Sequence, residues 1–526
     1  MQFKIRSLAL SLTVLCAFAH QDALHAQSLS SKTEAKLNSV INSPKLKEAH
    51  VGISILDLGV VRDANAFPAK PYIGKPYRVL FEHDAQKKFM PASNMKLFTA
   101  AIALQKLGIE KTFSTRVLQH DKQLVLYGGG DPSLKVSDLK NLSQQIKAHG
   151  MGEISSVVGD GSAFTAETSE GKFPFGWILD DTRWYYGPEV SALAIERNHV
   201  DVRITGDTNT NAPAKVVLNS VLADTIGMTA SVKTGGTELS GKTEDDLVRF
   251  KWERINHTGN PYKVQRVAGA SDDVTAEFVE SNYLSVSGQV APEQELNMGI
   301  QFPNPPQIAA KVLVNELGKQ GISFSPRKGQ LVPYTSSSVG SFTTIAEHES
   351  LPLGFLLQRL LKNSDNLYAE MLLRNVAYYD EGIGGDKAGP RAHEILKRWL
   401  ILQGIDTTPL RLEDGSGLSR YNLLTPRATV ELLAVINRMP EGRAIWDALP
   451  IAGVDGTLRK RMNDFPAKGN VRAKTGTLSI ASNLSGYVTT RDNRRLAVAL
   501  YINFARDSDT AQWAQDEVFK ILAAQT

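Results

Sequence analysis

At 526 residues the chain is too long for one ordinary hydrophobic core, so two or three domains are expected. Its 59 lysines and arginines against 55 acidic residues leave a formal net charge of +4, a near balance that argues against a nucleic-acid binder. The one cysteine, Cys16, falls in a predicted leader, so the mature chain is expected to carry no disulfide, thiol nucleophile or cysteine metal ligand.

Residues 1–26 read as a secretory signal peptide. Lys4 and Arg6 precede the apolar run from Leu8 to Phe18, and small residues follow. The run is shorter than the ~20 residues a membrane span needs. Export without disulfides is compatible with a bacterial envelope. Next, Leu37, Val40, Ile41 and Leu46 predict an amphipathic helix within 28–48. Strands are predicted from Val51 and from Arg78. Pro91 and Ser93 then open a helix that Gly108 stops.

From about residue 118 the texture changes. A strand at Leu124–Tyr127 runs into Gly128-Gly129-Gly130-Asp131-Pro132, which lacks the spacing of a phosphate loop and reads as a tight turn. A helix follows from Val136 to His149. The aromatic stretch from Phe173 to Gly187 reads as core packing of a β-domain. Short strands and turns dominate to about 340, with one clear helix from Pro306 to Gly321. Helices return at 353–361, 367–379, 392–403 and 428–437. Three strands near 471, 484 and 496 and a helix over 511–522 end the chain, with Asp492-Asn493 as a hairpin turn.

The two ends share one texture, so they are expected to form one domain around one sheet. That gives 27–117 with 345–526 as one domain, 118–165 with 275–344 as a second inserted in it, and 166–274 as a third nested in the second. The expected fold class is α+β, with inserted β-rich domains.

Three short strings carry chemistry. Ser93 and Lys96 are three apart, so a helix places both on one face. A neutral lysine beside a serine hydroxyl is a base beside a nucleophile. Ser364-Asp365-Asn366 lies between two predicted helices, and Lys474-Thr475-Gly476-Thr477 lies on a predicted strand. Together, in this order and on these elements, the strings are the signature of penicillin-binding proteins and class A β-lactamases.

The sequence resembles the D-alanyl-D-alanine carboxypeptidase/endopeptidase family, the type-4, class C low-molecular-mass penicillin-binding proteins. The resemblance extends to Asp414-Gly-Ser-Gly-Leu-Ser-Arg, to Gly453-Val-Asp-Gly-Thr-Leu-Arg, and to the 271 residues between Ser93 and Ser364. It implies a serine β-lactamase-like catalytic domain, an antiparallel sheet with helices on both faces. It implies a periplasmic hydrolase of D-Ala-D-Ala and of D,D-cross-links in peptidoglycan. Ser93 would form the acyl-enzyme, and Lys96 would take its proton, its pKa lowered by burial and by Lys474. Ser364 would relay the proton to the leaving amine, and Asn366 would hold Lys96 and the substrate amide. Lys474 and Thr475 would grip the terminal carboxylate, with the peptide along the strand at Gly476. The N–H groups of Ser93 and Thr477 would form the oxyanion hole.

The resemblance also points to Arg420, Asp181 and Tyr186 for the stem peptide's side chain. Asp365 and Thr99 read as structural, and Asp414 and Ser416 as turn chemistry. Stem peptides are the expected partners and β-lactams the expected covalent inhibitors, with no nucleic acid and no membrane span after leader cleavage. The ten histidines show no metal-site spacing, and no cofactor is implied. Two readings stay open beside this one: a β-lactamase or esterase on the same catalytic domain, and a non-catalytic cell-wall binding protein.

Overall fold

The computed structural model describes residues 29–63, 65–69, 77–164, 172–236, 239, 247–255, 264–266, 281–324 and 342–526. The expected leader, with Cys16, lies outside them. Among the described residues no helix is long and apolar enough to cross a membrane.

The two ends of the chain meet in one five-stranded antiparallel sheet. Its order is Val471–Leu478, Ala481–Thr489, Arg494–Asn503, His50–Val60, Arg78–His83. The central strand, Arg494–Asn503, is buried along its whole length. Side chains alternate across a strand, and here the alternation feeds two cores. Leu496, Val498, Leu500 and Ile502 enter one, which includes residues of the helices Ser31–Ile41 and Ser508–Ala523. Ala497, Ala499 and Tyr501 enter the other, shared with the helices Met95–Leu107 and Pro426–Arg438. Cover on both faces is why this strand reads as a continuous apolar run. Each fully buried Leu, Ile or Val stabilises the fold by about 1.5–3 kcal/mol.

A third core lies in the intervening chain. Its five-stranded sheet runs Val264–Arg266, Ser156–Asp160, Gln123–Gly128, Ser114–His120, Thr343–Glu349. Two three-stranded sheets follow. One joins Gly227–Thr234, Val248–Ile255 and Ser281–Val290; the other joins His199–Thr205, Lys215–Leu218 and Glu295–Gln301.

The strand pairs shift the expected domain boundaries. Thr343–Glu349 pairs with Ser114–His120, so we propose an outer seam outside Ser114 and Glu349, where 117 and 345 were expected. Ser281–Val290 and Glu295–Gln301, expected in the second domain, pair with strands expected in the third. Such pairing is non-local and leaves no mark in local texture. We propose the same nested division, with its seams moved to respect these pairs.

Candidate active site

A turn of 3₁₀ helix, Ala92–Asn94, leads into Met95–Leu107, which Gly108 ends at φ 79°. No side chain caps this entry, so the Ser93 hydroxyl is not used as a helix cap. Lys96 sits one turn on and is wholly buried. Its Nζ lies 2.9 Å from Ser93 Oγ, 2.5 Å from Asn366 Oδ1 and 2.7 Å from the Ser416 carbonyl oxygen. An ammonium donates to all three. A neutral amine donates to the two carbonyl oxygens and accepts from the serine hydroxyl. The same three contacts therefore serve both protonation states.

Burial lowers the Lys96 pKa to about 8, and the carboxylates of Asp414, Glu370 and Asp365 pull it back upward. The expected lowering of Lys96 by Lys474 acts in the other direction. Lys474 is held well below the usual lysine range, first by burial and then by the charge of Lys96. The reason is the difference in surroundings: Lys96 has carboxylates to oppose its desolvation, and Lys474 has none among its causes.

Ser364 is held at φ 59°, a left-handed conformation that costs a non-glycine residue about 1–3 kcal/mol. Asp365 follows as the cap of the helix Asn366–Glu381, accepting from Tyr368 N at 3.3 Å and pairing with Arg359 at 3.1 Å. This turn presents Ser364 Oγ to Lys474 Nζ at 2.8 Å. Asn366 uses both ends of its amide: Oδ1 accepts from Lys96, and Nδ2 donates to the Tyr186 carbonyl oxygen at 2.6 Å.

Lys474 and Gly476 share one face of the strand Val471–Leu478. A Cβ at Gly476 would lie 2.6 Å from Asn94 Nδ2 and 2.7 Å from the Pro91 oxygen. The backbone that needs this glycine is thus the protein's own nucleophile turn. Thr475 Oγ1 donates to Thr457 Oγ1 at 2.8 Å. Neither residue lines the cavity described below, whereas Thr477 does. Pro450 and Ala452 cover the strand's edge only as far as Ala473, through Ala473 N to Pro450 O and Ala452 N to Val471 O, both 3.0 Å.

The sequence reading gave no role to Glu370, and only turn chemistry to Asp414 and Ser416. Both carboxylates are buried. Glu370 Oε1 accepts from Gly415 N at 2.9 Å and Ser416 N at 2.8 Å, which fixes the carbonyl that meets Lys96. Asp414 accepts from Gly417 N, Ser419 N, Ser416 Oγ, Asn422 Nδ2 and Trp177 Nε1, at 2.6 to 3.0 Å. Thr99 Oγ1 donates to the Gly415 oxygen at 2.7 Å and ties the same loop to the Ser93 helix. One signal was available: Glu370 stands four residues after Asn366, on the same helix face.

A cavity of about 450 Å³ opens over this cluster, and Ser93, Ser364, Asn366 and Thr477 line it. Arg420, Asp181 and Tyr186 line it too. Arg420 Nη1 donates to Asp181 Oδ2 at 2.8 Å, and Tyr186 Oη donates to Asp181 Oδ1 at 3.4 Å. The structure thus gathers a buried base, a serine hydroxyl on it, a second lysine–serine pair and an ionic subsite around one opening.

Comparison with known proteins agrees with this arrangement. The model of the D-Ala-D-Ala carboxypeptidase 3 (S13) family matches residues 33–268 and 251–525. The chain is 29% identical over 467 residues to the D-alanyl-D-alanine carboxypeptidase of an Actinomadura species, covering 86% of this chain and 77% of that one. It is 28% identical over 439 residues to D-alanyl-D-alanine carboxypeptidase DacB of Haemophilus influenzae, covering 81% and 83%. The fold is shared with the crystal structure of penicillin binding protein 4 (dacB) from Haemophilus influenzae, with TM-score 0.70, 23% identity and coverage of 92% and 97%. A family match over nearly the whole described chain, on a fold with this sheet and these three motifs in place, leads to one conclusion: the chain belongs to the D-Ala-D-Ala carboxypeptidase 3 (S13) family, the type-4 penicillin-binding proteins.

Proposed function

We propose that the protein is a serine D,D-peptidase of the cell envelope, exported by its leader, that hydrolyses D-Ala-D-Ala and D,D-cross-links of peptidoglycan. The observation that carries the reading is the bond between the buried Lys96 Nζ and Ser93 Oγ. Lys96 in its neutral form takes the hydroxyl proton as Ser93 Oγ attacks the penultimate D-Ala carbonyl. The Ser93 and Thr477 N–H groups stabilise the oxyanion, and losing one such donor typically costs about 10²–10³ in rate. The proton passes through Ser364, hydrogen-bonded to Lys474, to the departing amine. Terminal D-Ala leaves and Ser93 carries the acyl group; water then releases it.

The terminal carboxylate favours the charged form of Lys474, against the burial that disfavours it. Val471–Leu478 is the outer strand of its sheet, a position that suits an extended peptide, and there the Thr475 carbonyl oxygen accepts from Lys474 Nζ at 2.7 Å. Arg420 and Asp181 offer opposite charges to a stem residue with both an amine and a carboxylate. A relative from Haemophilus influenzae has been solved in complex with a β-lactam. A β-lactam acylates Ser93 in the same way, but its amine stays tethered, so the adduct persists.

Mass spectrometry of purified muropeptides after incubation tests the reading. Loss of one D-Ala marks carboxypeptidase action, and dimers falling to monomers mark endopeptidase action. Neither change with wild-type protein, or the same changes with Ser93→Ala, would refute it. Fluorescent penicillin labelling equally strong in Ser93→Ala would remove the acyl-enzyme.

A further inference from the structure

A second cavity, of about 380 Å³, lies on the far side of Glu370 from Lys96. Phe164, Phe173, Phe175 and Leu412 give it apolar walls. The aromatic stretch was expected to be core, yet Phe175 is 62% exposed.

Arg374 lines this cavity and its side chain is nine-tenths buried, at 10% exposure. Its Nη1 donates to Glu370 Oε2 at 2.7 Å and to the Glu370 carbonyl oxygen at 3.1 Å. Its Nε and Nη2 have no hydrogen-bond partner among the described residues. Those two atoms form the edge of a guanidinium that takes a carboxylate through two parallel bonds. The face of the guanidinium packs over Gly389, where a Cβ would sit 3.7 Å from Nη2, 3.8 Å from Cζ and 3.9 Å from Nε.

Gly389 lies in the first turn of the helix Ala388–Leu402. His393, one turn on, also lines the cavity, and its Nε2 has no partner. The acidic groups in the lining do not occupy Arg374's open edge. Glu370 is held by Nη1, Glu413 pairs with Arg411 at 2.5 Å, and Asp386 makes no hydrogen bond or ion pair among the described residues.

We propose that this cavity is a second ligand site, built for a small carboxylate with an apolar or aromatic body. The carboxylate would meet the Nε–Nη2 edge of Arg374 at the start of the Ala388–Leu402 helix, and the body would lie among the phenylalanine rings. The site does not depend on the peptidase reading, but it touches the same machinery. Arg374 would hold the ligand on one edge and Glu370 on the other, and Glu370 positions the carbonyl that meets Lys96.

The test uses the full chain and 4-fluorobenzoate, followed by ¹⁹F line broadening. Saturable binding is expected, with 4-fluorobenzamide at least about tenfold weaker, because the amide lacks the charge. Gly389→Leu places a side chain against the guanidinium inside the cavity and should weaken 4-fluorobenzoate at least about tenfold. Phe173→Ala, which removes one wall, should weaken both probes and serves if Gly389→Leu does not fold. No saturable binding to the wild type, equal binding of acid and amide, or binding unchanged in the folded variants would overturn the proposal.

Discussion

The two lysines of the cleft are alike in burial and opposite in company. Lys96 and Lys474 are both fully buried, so both lose charge to desolvation. Around Lys96 the protein sets Asp414, Glu370 and Asp365, and the result is a base near pH 8. Around Lys474 it sets Lys96 and the Ser364 hydroxyl, and no carboxylate opposes the loss of charge. Burial alone makes a lysine neutral; nearby carboxylates decide how neutral. A base close to the working pH is efficient, whereas a buried anchor without a carboxylate gains charge stabilisation when an anion arrives.

The comparison is easiest to break at the base itself. Lys96→Ala should slow acylation by a fluorescent penicillin at least about 10³-fold, while Lys474→Ala should cost about 10²-fold, because it loses the carboxylate contact and the relay but keeps the base. Equal losses would erase the distinction.

Gly476→Ala probes the packing that keeps the two lysines in one cleft. Its Cβ would collide with Asn94 and the Pro91 oxygen, so destabilisation of about 1–3 kcal/mol in denaturant melts is expected, together with slower acylation.

Glu370→Gln should slow turnover about 10–10²-fold through loss of the positioned Ser416 carbonyl. It should also change the pH profile. In the proposed mechanism Lys96 works in its neutral form, so kcat/KM should fall as pH drops below its pKa of about 8 in the free protein. Removing the Glu370 charge lowers that pKa, so the acid limb moves to lower pH. In Lys474→Gln the limb should not move to lower pH, because the three carboxylates around Lys96 remain.

The smallest effect belongs to the outer subsite. Arg420→Ala should lower kcat/KM about tenfold for peptides with a diamino-acid side chain, and leave acylation by a small penicillin unchanged. An equal loss on both substrates would make Arg420 a structural partner of Asp181 only.

Much of the site is legible in the sequence because its parts are side chains in short strings. Ser93 with Lys96, Ser364 with Asn366, and Lys474 each declare a chemistry by residue type and spacing. Helix and strand positions follow from periodicity to within a few residues, as for the helix Asn366–Glu381 expected over 367–379. What stays hidden acts through the backbone. Glu370 and Asp414 work by holding N–H groups of residues 415–419, and no spacing rule marks that. Gly476 announces a close approach without saying by what. Thr475 belongs to a matching string, yet its hydroxyl turns to Thr457. Strand partners such as Thr343–Glu349 and Ser114–His120 lie more than two hundred residues apart, so domain seams blur.

The sheet has a temporal consequence. His50–Val60 lies between a strand close after it in sequence and Arg494–Asn503, close to the other terminus. A ribosome has therefore long finished the nucleophile before it makes the strand that completes the cleft. Until residues 471–503 emerge, Ser93 has neither its anchor lysine nor a groove to present substrate. Reactivity is withheld from every unfinished copy by the order in which the polymer is written.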